Sequence, residues 1–268
     1  MTTSGTDATH LLSRADLALC REIAGTDARY ALLSGSYARG WEHTHSDVDV
    51  VVGGPGPGNP DGTGAERRLR YVDGRRWEVE YYPPAFVDRL AASVERAVAA
   101  VERGAEPLSV IGSYELSRAL RLHNGIALFG ADRAEHHRAR MRDAGLERVA
   151  LQLAVDHCDE GLDDALGLLA AGDLHSSVQA AAAALGHAVD AFLADHGELI
   201  PGAKWRYRKY LALAGSLPAE ELPLDPRSCW RWLTLADLDM SAPGPWVERA
   251  VAQCQSILFD IAEGNRKR

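Results

Sequence analysis

No stretch of this 268-residue sequence approaches the roughly 18 consecutive apolar residues that a membrane span requires, so no membrane partner is expected. The opening residues MTTSGTDATH are polar, and no apolar core of a secretory signal follows them. Cysteine is scarce. Cys20, Cys158, Cys229 and Cys254 lie far apart and none belongs to a CxxC pair, which points to buried, reduced thiols in a cytoplasmic protein. Basic residues are outnumbered, 29 against 38 acidic ones, and the formal net charge is -9. Such a surface repels the backbone of DNA or RNA, so no nucleic-acid partner is expected, and it suits a cationic small molecule. No internal repeat is present. What remains is an ordinary globular composition, nearly half apolar and a quarter charged.

The chain divides by pattern. Ser13 is placed to cap a helix carrying Leu17, Leu19, Cys20 and Ile23. RYALLSG reads as a buried strand ending at Gly35, and DVDVVV as a second strand in which carboxylates alternate with valines. GGPGPGNPDGTG is a mobile loop by composition. RRLRYV and RWEVEYY flank Asp73-Gly74, a strong hairpin-turn signal. Helical periodicity covers about 86–101 and 114–122, and GIALFG reads as a last strand. From Asp132 onward the pattern is all-helical, with a cap at Asp225-Pro226, a closing helix over about 245–263 and a basic tail, NRKR, expected to fray. The expectation is an α+β fold in two domains. Residues 1–131 form a small mixed sheet with helices, and residues 132–268 form a helical substrate-binding domain.

The residues that carry chemistry are concentrated in LLSGSYARGWEHTHSDVDVVV. Asp47 and Asp49 are separated by one valine, and the period of two in a strand points both carboxylates to one face, with Val48 and Val50 on the other. Two carboxylates held this close repel one another and call for a cation, and hard oxygen ligands suit Mg²⁺. Gly35 permits close backbone approach to a ligand. A helix starting at Ser36 would aim N–H groups and its dipole at phosphate, with the Ser36 hydroxyl as a further donor. Arg39, three residues on, would share that helix face and meet triphosphate oxygens. In RRWEVEYY, Glu78, Glu80 and Tyr82 share one strand face, and alternation alone does not choose between the glutamates as a third carboxylate.

The pattern of GS after a strand, then DxD, then a carboxylate on a later strand, resembles the DNA polymerase β-type nucleotidyltransferase superfamily, and within it the kanamycin (aminoglycoside) nucleotidyltransferases. The resemblance covers about residues 30–90. It implies that Ser36 contacts the β and γ phosphates and that Asp47 and Asp49 bind metal. It also implies that Glu80 is the third acid, because the WEVE strand is similar to the family's own, with Glu78 as the alternative. Asp156, in VALQLAVDHCDE, takes the place of the family's general base, with Asp159 and Glu160 nearby. The implied reaction is in-line attack by an acceptor hydroxyl on the α-phosphorus of a nucleoside triphosphate, ATP as donor, with pyrophosphate leaving and Mg²⁺ in attendance. The implied acceptor is an aminoglycoside-like antibiotic, bound in a cleft between the domains. Two other outcomes are compatible with the same resemblance: nucleotidylylation of a protein partner, as minimal members do to a toxin, and a catalytically silent nucleotide-binding module. A homodimer is also compatible, since some relatives build the site across two subunits.

Three further groups stand out. KWRYRKY is the one basic-aromatic cluster, and within it Lys204 is the first candidate to neutralise triphosphate. His43 and His45 have no third ligand at zinc spacing and read as ordinary loop residues near the nucleotide. Asp156, Asp159, Glu160, Asp163 and Asp164 form an acidic helix face, either solvated or suited to a polyamine such as an aminoglycoside.

Overall fold

A computed structural model describes residues 12–59, 64–199 and 202–267. The opening MTTSGTDATH, residues 60–63 of the glycine- and proline-rich loop, and the terminal arginine of NRKR lie outside the described residues, so the expectations about a leader, a mobile loop tip and a frayed end fall there in whole or in part. The protein is α+β: a five-stranded mixed sheet in the N-terminal half, followed by helices.

The chain forms two compact units, Met1–Ala100 with Leu108–Leu146, and Val101–Pro107 with Glu147–Arg268. In the first, α1 (Arg14–Ala24) opens with a capping box. Ser13 Oγ accepts from the Asp16 backbone N–H at 3.1 Å, and the Asp16 carboxylate accepts from the Ser13 N–H at 3.1 Å. This satisfies donors that no earlier turn can reach. The strands are β1 (Tyr30–Ser34), β2 (Val48–Gly53), β3 (Glu66–Val72), β4 (Arg75–Tyr81) and β5 (Ile126–Phe129), in the order β3-β4-β2-β1-β5. β3 and β4 are joined at Asp73-Gly74, whose φ values of 50° and 75° are the two positive angles of a type I′ turn. β2 pairs antiparallel with β1 and parallel with β4.

The alternation read in β2 is expressed as burial. Val48, Val50 and Val52 join Trp77, Val79 and Tyr81 of β4, and Cys20, Ile23 and Ala24 of α1, in one apolar layer. On the opposite face lie Val51, fully buried, and the acidic side chains of β2 and β4. Over that face runs α3 (Ser113–Asn124). Its Arg121 and Arg118 reach Glu78 and Glu80, and Gly125 just beyond it leaves no room for a Cβ against Leu32 of β1. α2 (Pro84–Glu102) and α4 (Ala131–Asp143) complete this half. α4 packs on β1 and β5, with Ala134 and Met141 fully buried, and so belongs with the sheet although its sequence begins the all-helical stretch.

The second unit contains α5 (Leu146–Ala170, from Glu147), α6 (Leu174–Asp195), α7 (Ala203–Ala214), α8 (Pro226–Leu233) and α9 (Gly244–Lys267). α6 is long and apolar enough to cross a membrane by composition, yet 72% of its apolar window is buried, the position of a core helix. Its alanines serve close approach. Ala181 and Ala184 are fully buried, and Gly161 of α5 sits against Ala184, where an added Cβ would lie 3.0 Å from that alanine's Cβ. Asp225 caps α8 ahead of Pro226, accepting from the Arg227 and Ser228 N–H groups. All four cysteines are buried and free.

An ion pair ties α6 to α7. The Arg206 guanidinium donates to both carboxylate oxygens of Asp190, at 2.9 and 2.7 Å, with side chains only 14% and 6% exposed. Removing one member of a buried pair leaves a charge without compensation. Asp190→Ala should therefore lower stability by about 3 kcal/mol in urea denaturation. A loss below about 1 kcal/mol would mean that water already screens the pair.

Candidate active site

The site begins where β1 ends. Gly35 has φ 66°, a left-handed conformation that disfavours any side chain, and a Cβ there would overlap the Asp49 carboxylate. The glycine is thus required twice, by its backbone and by its neighbour. Ser36 and the residues after it do not form the α-helix that would have aimed a dipole at phosphate. Tyr37–Arg39 is a single 3-10 turn, closed by the Gly40 N–H to Tyr37 O and the Trp41 N–H to Ser36 O. Gly40, at φ 62°, ends the turn. So short an element carries little macrodipole, and any phosphate-binding capacity here resides in local backbone groups and the half-buried Ser36 hydroxyl.

Asp49 lies in β2, and Asp47 just before it; both are half-buried. The parallel register with β4 sets Asp49 beside Glu78 and Val51 beside Glu80. Carboxylate oxygens of Asp47, Asp49 and Glu78 lie within 4.8 Å of one another, a set that can hold a metal ion. The sequence expectation named Glu80 as the third acid with Glu78 as alternative, and the structure places Glu78 in this group. Glu80 sits two register pairs further along, 3% exposed, accepting from the Tyr82 hydroxyl at 2.6 Å and from Arg118 Nε at 3.2 Å.

Four arginines face the acids. Arg76 pairs with Asp47, Arg67 with Glu78 at 2.5 Å, and Arg118 with Glu80 at 3.2 Å. Arg121 Nη1 lies 3.1 Å from Glu78, 3.5 Å from Glu80 and 3.7 Å from Asp49. Carboxylates with so little access to water require cations, and these guanidiniums supply them. Burial raises the pKa of Asp49 to about 6, against the lowering influence of Arg121 and with further raising by Asp47 and Glu78. Burial also opposes the charge on Arg121, but Glu80, Asp49 and Glu78 outweigh it and leave its pKa above the ordinary value. The Tyr82 hydroxyl is pushed well up by burial and by the Glu80 charge, so it remains a donor. The arginines were missed in the sequence. The spacing of Arg118 and Arg121, which share a helix face, was the available signal, but it does not say which strand they cover.

The metal-compatible group does not include the other candidates. Arg39 stacks over the Trp41 ring at 5.4 Å, in the turn after Ser36. His43 and His45 are exposed, as expected of loop residues. In the second unit, Lys204 is exposed on α7 with its ammonium 5.3 Å from the Trp205 ring centre. Asp156 accepts from Gln152 Nε2 at 2.8 Å. Together with Asp159, Glu160, Asp163 and Glu106, it lines a cavity of about 370 Å³. Asp159 has its pKa raised by burial and by its neighbours Asp156 and Asp163.

The two requirements at Gly35 can be separated by comparison with Gly40, which has a similar φ but open space around a would-be Cβ. Gly40→Ala should cost about 1 kcal/mol from backbone strain alone. Gly35→Ala should cost distinctly more in the same chemical denaturation series, because it also displaces the Asp49 carboxylate. Equal losses would show that the contact with Asp49 is of no consequence.

No family model matches the chain, and no curated protein matches it. Among solved structures, the chain is similar to a nucleotidyltransferase-like protein from Exiguobacterium sibiricum 255-15, with 12% sequence identity and a TM-score of 0.44, over 97% of this chain and 79% of that one.

Proposed function

We propose that this protein is a nucleotidyltransferase that uses Mg²⁺ to move a nucleoside monophosphate, AMP from ATP, onto a hydroxyl of a small molecule. The observation that carries the reading is the convergence of Asp47, Asp49 and Glu78 within 4.8 Å, beside a glycine that has no room for a side chain. The donor set is all carboxylate oxygen, which fits a hard divalent ion. Such an ion, when bound, supplies charge stabilisation for a triphosphate undergoing in-line displacement. Asp47, Asp49 and Glu78 would hold it. Glu80 keeps a supporting role, fixed by Tyr82 and Arg118 and lending its charge to the same face. Gly35 lets triphosphate approach the backbone, and the Ser36 hydroxyl and Arg39 donate to its oxygens. The acceptor hydroxyl attacks the α-phosphorus and pyrophosphate departs, with no covalent enzyme intermediate.

The test is pyrophosphate release from ATP, with and without Mg²⁺, in the presence of hydroxylated acceptors. Asp49→Asn and Glu78→Gln should each reduce the Mg²⁺-dependent rate by about a hundredfold or more, and Glu80→Gln by about tenfold, the size of effect usual for a residue that supports a ligand. Full Mg²⁺-dependent release in Asp49→Asn would remove the basis of the assignment.

On the acceptor side, the acidic cavity of the second unit favours a polycationic, hydroxylated molecule of the aminoglycoside kind. Asp156, the position that the resemblance gives to a general base, is one wall of that cavity, and Lys204 remains a candidate for triphosphate contact. Asp159→Asn combined with Asp163→Asn should raise the KM for a cationic acceptor by about tenfold with little change in kcat, and added salt should raise the wild-type KM in the same direction. An unchanged KM would place the acceptor elsewhere.

A further inference from the structure

One nitrogen of this protein already occupies the position of a cation in the carboxylate group. Arg121 Nη1 lies within 3.1 to 3.7 Å of oxygens from Asp49, Glu78 and Glu80, which come from two different strands. Arg67 pairs with Glu78, Arg76 with Asp47 and Arg118 with Glu80. Arg121 is also distinguished by its base. It projects from α3, which covers the acidic face, with 30% of its side chain still exposed, so the guanidinium has solvent to move into. A divalent ion held by Asp49 and Glu78 and a guanidinium on those same oxygens are mutually repulsive neighbours competing for the same lone pairs.

We infer that Arg121 is the exchangeable counter-cation of the site. It neutralises Asp49 and Glu78 when no divalent ion is bound, yields those oxygens when one arrives, and then turns its fork of donors to the phosphate oxygens of the triphosphate. The inference rests on the nucleotidyltransferase reading. A displaced guanidinium remains tethered beside the site, and its planar pair of donors matches phosphate oxygens. Arg121 is thereby a positioning residue that makes ion-binding and triphosphate-binding favourable together, while each alone is weaker. Exchange of this kind leaves Asp49 and Glu78 with a counter-cation in both states, so the buried carboxylates are never left uncompensated.

The experiment is binding of Mn²⁺ alone, and of tripolyphosphate with saturating Mn²⁺, to the full chain by calorimetry and Mn²⁺ paramagnetic resonance. Arg121→Gln should bind Mn²⁺ alone about tenfold more tightly than wild type, because the competing charge is gone, and bind tripolyphosphate about tenfold more weakly. A gain in ion affinity is an outcome that a purely structural role for the arginine does not produce. Arg121→Lys keeps the charge and guards against a variant that fails to fold. It should bind Mn²⁺ within a few fold of wild type and lose several fold in tripolyphosphate affinity. Equal or weaker Mn²⁺ binding by folded Arg121→Gln, or undiminished tripolyphosphate binding by either variant, overturns the inference and leaves the nucleotidyltransferase reading standing. Wild-type protein that binds no Mn²⁺ overturns both.

Discussion

The parallel pairing of β2 with β4 is the constraint from which the site follows. Residues 48–52 and 77–81 are brought side by side by a hairpin and a loop that return the chain in the same direction. That pairing aligns two alternating patterns, so every apolar residue of one strand meets an apolar residue of the other on the α1 side. On the α3 side Asp49 meets Glu78, and Glu80 lies opposite the buried Val51. Slipping the register by one residue would turn Val48, Val50 and Val52 out of their apolar layer. The apolar core on one face therefore enforces the acidic cluster on the other. The repulsion within the cluster is opposed by this apolar packing and by the arginines that pair with the acids.

This division explains what could be read from the residues alone. The capping box at Ser13, the type I′ turn at Asp73-Gly74, the Asp225-Pro226 cap and the two-fold alternation of β2 and β4 are local, each determined by residues a few positions apart. The choice between Glu78 and Glu80 was not local. Both lie on the right face, and only the register against β2, a relation between strands some thirty residues apart, decides which one adjoins Asp49. Whether a helix starts at Ser36 was left open by the sequence, and the segment is one 3-10 turn ended by Gly40 in the left-handed conformation. α4 carries a polar sequence in which only Ala134 and Met141 are buried, too few apolar positions to announce a helix that packs on β1.

The arginines show the same limit from the other side. Arg67 and Arg76 arrive from the β3–β4 hairpin, and Arg118 and Arg121 from a helix far along the chain. Their sequence neighbourhoods carry no sign of which strand they cover. Together they turn an arrangement that would be unstable as four isolated acids into one that folds, while leaving the acids close enough to share an ion. The balance also colours the acidity of the site. Asp49 is held near pKa 6 by burial because Arg121 only partly offsets the loss of water.

β3 is the outermost strand on its side of the sheet, largely exposed, and it carries Arg67, Arg68 and Arg70 in close succession. An uncovered strand edge is a template on which a second sheet can grow, and charged side chains are a common safeguard against it. Here the guard is doubled in meaning, since Arg67 also reaches Glu78. Replacement of these arginines by β-branched apolar residues, tolerable on propensity alone, would leave Leu69 and Tyr71 in an unbroken sticky ribbon. The cost would then appear as insoluble protein before any defect in chemistry could be seen, so the solubility of the chain and the shape of its acidic face are tied to the same strand.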